Sequence, residues 1–146
     1  MTDKIRCMKI KEELENIRLA SDGILRPEDV VAFARDESTE LHKRFLWDDS
    51  AAAELYRVEQ ARKIIRYVVQ MEEIRGEPVE IRTYWSLVND RKDGDSYRNV
   101  LEIMRSDELK DALLEQCKRD FLALRKKYAH LVEFAKVFEA IDSVAV

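Results

Sequence analysis

From Ser106 to the last residue the chain contains neither glycine nor proline, and Ser106 opens that stretch with a helix-capping side chain followed by Asp107 and Glu108. Such a run has little choice but to be helical, because nothing in it breaks a helix and its acidic first turn suits the positive end of the helix dipole. Leu109, Leu113, Cys117, Phe121, Leu124, Tyr128, Leu131, Ala135 and Phe138 form an apolar stripe. Its later steps alternate four and three, the mark of a heptad seam. Unbroken to Asp142, this helix would be on the order of 54 Å long. A domain of this size has a radius of gyration of roughly 15 Å, so the helix either bends near Tyr128 to Leu131 or projects and finds a partner. We expect homo-oligomerisation through Phe121, Leu124, Tyr128, Leu131 and Phe138.

The rest of the chain is also mostly helical. Cys7, Ile10, Leu14 and Ile17 space a helix over about Asp3 to Ala20 that ends at Ser21-Asp22-Gly23. Pro27, Glu28 and Asp29 start a second helix that ends near Asp36. Ser38 or Thr39 caps a short third piece in which Leu41 and Phe45 share a face. A fourth helix begins near Asp48 and ends near Arg75-Gly76, with Leu55, Val58, Ala61, Ile65 and Val68 as its buried stripe. Asp48 and Asp49 cap its start, and Trp47 with Ala52 occupies the two positions of a hydrophobic staple.

After Pro78 the period changes to two. Val79, Ile81, Thr83, Trp85 and Leu87 alternate with Glu80, Arg82, Tyr84 and Ser86, which predicts a strand. NDRKDGDS supplies a turn and SYRNVLEIM a returning strand, with Arg91-Lys92 at the tip and Trp85 and Leu101 inward. The expected fold class is therefore mainly α with a small β-hairpin. One domain, 1–146, comprises a helical bundle (1–76), a two-stranded antiparallel hairpin (77–105) and a long C-terminal helix (106–143).

Composition excludes several functions. The 146 residues are 46% hydrophobic and 38% charged, with a net charge of -4, and neither half carries a basic excess. A protein that coats nucleic acid indiscriminately would, so contact with DNA must rest on a local patch. Candidates are Arg57, Arg62, Lys63 and Arg66 on the fourth helix and Arg91 and Lys92 at the hairpin tip. Lys118, Arg119, Arg125, Lys126 and Lys127 add a basic run to the last helix. Interleaved acids such as Glu59, Glu115, Asp120 and Glu133 dilute each of these patches. Short helices followed by a hairpin are compatible with a winged helix-turn-helix, but the Val30 to Trp47 region lacks its turn glycine and buried spacing.

Cys7 and Cys117 belong to no metal or redox motif and are expected to be buried thiols. The N-terminal stretch has no apolar run of signal-peptide or membrane-span length, so a cytoplasmic location with no membrane association is expected. No phosphate-binding or nucleophile-elbow motif is present, and we expect no enzyme and no cofactor. The strongest catalytic alternative is a Mg²⁺-dependent nuclease built on Asp48, Asp49 and His42, but capping explains the two aspartates more simply. His130, at the edge of the seam, has no ligand partner at metal spacing.

Leu25, Pro27, Val30 and Ala34, then Leu41-His42, Phe45, Trp47-Asp48-Asp49, Ala52-Ala53, Tyr56-Arg57 and Gln60-Ala61-Arg62, make a pattern that resembles a family of small, uncharacterised proteins of tailed phages and prophages. The likeness runs on through Tyr84 to Arg98 and Lys127-Tyr128 to Phe138. Leu46 stands where such proteins usually carry an acidic or polar residue. The resemblance implies a phage origin, in which case the host cytoplasm is the location, and it implies no reaction. The resulting expectation is a non-catalytic assembly or regulatory protein that self-associates and contacts nucleic acid. The alternative is an adaptor or inhibitor that binds a host or phage protein.

Overall fold

A computed structural model describes residues 2–47, 50–92 and 94–145, and in it the chain forms two compact units, 1–102 and 103–146. The fold is mainly helical with small antiparallel pairings. In the first unit, α1 (Asp3–Ala20), α2 (Pro27–Ala34) and α3 (Ala51–Tyr67) enclose a core of Ile10, Leu14, Ile17, Leu25, Val30, Val31, Ala34, Leu41, Phe45, Ala61, Ile65, Tyr84 and Tyr97. α1 has the expected bounds, and Asp22 and Gly23 take positive φ just beyond it. A 3-10 turn, Leu41–Arg44, follows α2. Thr39 Oγ1 accepts from the His42 amide, as the expected cap requires, while the Glu13 carboxylate accepts from the Glu40 and Leu41 amides at 2.7 and 2.8 Å.

α3 starts at Ser50, whose hydroxyl accepts from the Ala53 amide. Asp48 and Asp49, expected as the cap, lie outside the described residues. The predicted stripe and the predicted helix end both need correction. Leu55 is 74% exposed, and the helix stops at Tyr67 rather than near Gly76. Val68-Val69 is a β-branched pair that favours an extended backbone.

The strand pattern consequently moves. β1 (Val69–Ile74) pairs antiparallel with β2 (Glu77–Arg82) from Val69↔Arg82 to Ile74↔Glu77. The tip is Arg75-Gly76, both at positive φ, which is the two-residue turn that matches strand twist. Arg91-Lys92 is thus not a hairpin tip. It ends a 3-10 turn, Val88–Arg91, in the loop between β3 (Tyr84–Trp85) and β4 (Arg98–Asn99), which pair over two residues only. The inward residue is Tyr84, fully buried, not Trp85, and Leu101 is exposed. A period-two pattern defines two faces without saying which one the core takes.

α4 (Val100–Arg105) leads to the second unit, where α5 (Asp107–Lys127) is capped by Ser106 as expected. The long helix breaks at Tyr128. A 3-10 turn, Val132–Phe134, reverses the chain into α6 (Ala135–Val144), which packs on α5. Arg125 clamps the pair, donating to both Asp142 oxygens at 2.6 and 2.9 Å and lying over the Phe138 ring. The continuous seam therefore splits. Its α6 portion closes on α5 and buries Phe138 and Ile141.

Candidate functional site

Trp47 is the hub of the turn that enters α3. Its Nε1 donates to the His42 carbonyl at 2.9 Å, its ring stacks on the His42 imidazole at 4.9 Å, and Phe45 packs beside it. The guanidiniums of Arg35 and Arg57 lie against the same indole, and both donate to Glu54 Oε2 at 2.6 Å. Those donors, Arg35 first, hold the Glu54 carboxyl below the usual glutamate range against a smaller desolvation effect. His42 Nδ1 donates to the Ala34 carbonyl at 2.8 Å. Because a carbonyl only accepts, that nitrogen carries the proton and is not available as a base. His42 is thus a clasp between the end of α2 and the following turn.

The predicted basic residues do not form one surface. Arg57 is 4% exposed and donates through Nε to the Leu46 carbonyl, so it supports the Trp47 turn rather than facing a ligand. Arg62 is paired with Glu59 and Asp95. Lys63 lines a 300 Å³ cavity together with Cys7, Ile10, Arg44, Ile64 and Tyr67. Arg66 and Lys92 are exposed, and Arg91, also exposed, donates to the Ser86 carbonyl. Both Cys7 and Cys117 are exposed free thiols, which corrects the expected burial.

A polar network that has no signature in the sequence ties α1 to β3, β4 and α4. Glu15 Oε1 accepts from the Tyr84 hydroxyl at 2.7 Å, from Asn99 at 3.1 Å and from Arg18, while Arg18 also donates to Glu102 at 2.6 Å. Burial pushes the Glu15 carboxyl up, but these donors outweigh it and hold the group below its ordinary value. Burial and the bond to Glu15 push the Tyr84 phenol up.

The second unit presents the predicted self-association residues differently from one another. Phe138 is buried and Leu131 half-buried, but Phe121, Leu124 and Tyr128 remain exposed on α5. Phe134 (52% exposed) and Val137 (49%) join them from the returning segment. Leu124, Tyr128, Leu131, Phe134, Val137 and Phe138 line a groove of about 270 Å³ in this unit. No described helix is long and apolar enough to cross a membrane. The chain matches no protein-family model, no curated protein and no solved structure.

Proposed function

We propose that this chain is a non-catalytic assembly or regulatory protein of the phage type that works by self-association through its second unit. The observation that carries the reading is the apolar face of the α5–α6 pair. Leu124, 45% exposed, lines a groove of apolar side chains from both arms, and Phe121, 43% exposed, stands one turn before it on α5. Covering such aromatic and aliphatic side chains releases roughly 25 cal/mol per Å² of apolar area. A contiguous patch of this kind marks an interaction surface more often than isolated exposed residues do.

Light scattering tests the reading directly. The wild type should show a discrete oligomer at micromolar concentration, and Phe121→Asp with Val137→Asp should return it to the monomer mass. A wild-type monomer across that range would refute self-association.

The adaptor reading draws on the β1–β2 hairpin. It presents Glu72, Glu73, Glu77 and Glu80 with the exposed side chains of Met71, Ile74 and Val79, a surface suited to a basic partner protein. A monomer that pulls down a basic partner through this hairpin would favour that alternative.

A further inference from the structure

Most arginines of the first unit are held by carboxylates or carbonyls, and Arg82 is an exception. Its Nε is buried without a hydrogen-bond partner, and no described residue accepts from the rest of its guanidinium. About nine in ten buried polar groups in folded proteins are satisfied, so an arginine left this way calls for an external acceptor. The guanidinium lies 4.8 Å over the half-buried Trp85 ring, whose Nε1 donates to the Arg82 carbonyl at 3.1 Å. Indole and guanidinium are thereby fixed in one orientation.

Two cations, Arg66 and Arg91, act on Arg82. Arg82 is paired across the sheet with Val69, two residues after the end of α3, where Arg66 sits exposed and without a described partner. Arg91 reaches back to Ser86, next to Trp85, from the 3-10 turn. The described acids of that loop are engaged elsewhere, Asp90 with Arg98 and Asp95 with Arg62. Burial first, then the charges of Arg66 and Arg91, pull the Arg82 guanidinium below the ordinary arginine range, with Tyr97 acting in the opposite direction. Like charges on three separate elements repel unless a polyanion spans them.

The geometry points to a phosphodiester-binding site formed by Arg66, Arg82 and Arg91 around Trp85, which takes the backbone of a nucleic acid. It differs from the basic set read from the sequence, because Arg57, Arg62, Lys63 and Lys92 drop out and Arg82 enters. Guanidiniums suit phosphate oxygens geometrically and give no base specificity by themselves. The site stands independently of self-association.

The test is fluorescence anisotropy of a labelled twelve-nucleotide single strand and a mixed-sequence duplex, titrated with the full chain between 50 and 300 mM salt. Three phosphate contacts predict a slope of log K against log salt of about -2 for the single strand and about -3 for the duplex, with Kd of roughly 1 to 100 μM. Arg66→Gln and Arg91→Gln, both at exposed positions, should each lower the slope by about one. Arg62→Glu with Lys63→Glu should change the slope far less, since Arg62 already faces Glu59 and Asp95. Trp85 emission, isolated by difference with Trp85→Phe, should respond to the oligonucleotide. Absence of binding at 50 mM salt, or a slope unchanged in Arg66→Gln and Arg91→Gln, would overturn the site. Inorganic phosphate that shifts Trp85 emission as tightly as the oligonucleotide would overturn the nucleic-acid assignment and leave a small-anion site.

Discussion

At the scale of single residues, two side chains organise the first unit. Trp47 links the α2 end, through His42, to Arg57 and Glu54 on α3. Trp47→Ala should cost about 3 kcal/mol in urea unfolding, the low end for a large aromatic because the indole is only partly buried. Glu15 contributes to the pH dependence. Its folded value lies below the ordinary 4.5, so the unfolded chain takes up the proton first as pH falls. Its stabilisation is complete above the unfolded value and is lost as pH drops through the folded one. Glu15→Gln should lower the urea midpoint at neutral pH and flatten its decline below about pH 4.5. A decline as steep as wild type would place the acid sensitivity elsewhere. Trp47 was legible as an anchor because an aromatic residue just before a helix start has few other roles. Arg57 was not, since its spacing puts it off the apolar stripe, while the Leu46 carbonyl, Glu54 and the indole hold it inward.

At the scale of elements, local chemistry explains the helix ends and non-local pairing explains the strands. Thr39 and Ser106 accept from amides three residues on, as short polar side chains do wherever a helix opens. The β1–β2 turn depends on Gly76 at φ +80°, where an added Cβ meets no atom within 4 Å. Gly76→Ala should therefore cost only the left-handed backbone term, about 1 kcal/mol, read as faster amide exchange in β1 and β2. Arg75-Gly76 hides this turn in the sequence, since Asn-Gly or Asp-Gly is the usual signal. The apolar alternation that follows marks strand character correctly, but its partner turned out to precede it.

At the scale of the whole molecule, the two units contribute different chemistry. Association through α5 and α6 is apolar, so the light-scattering mass should hold from 50 to 500 mM salt. Binding at Arg66, Arg82 and Arg91 is electrostatic and should fade over the same range. An oligomer that dissociates with salt would move the contact from the apolar groove to the charged rim of α5.

The mainly helical class, the bounds of α1 and the opening of α5 follow from the sequence alone, because capping, glycine placement and three-four spacing act within a few residues. The break after Lys127 was legible as one of two outcomes, and tertiary packing chose it by closing Phe138, Ile141 and the Arg125–Asp142 clamp on α5. Only the tertiary structure decided which face of β3 turned inward and which cations kept no partner among the described residues. Those outcomes depend on groups far apart in the chain, such as Glu15 with Tyr84 and Asn99, or Arg62 with Asp95, whose meeting no local pattern encodes.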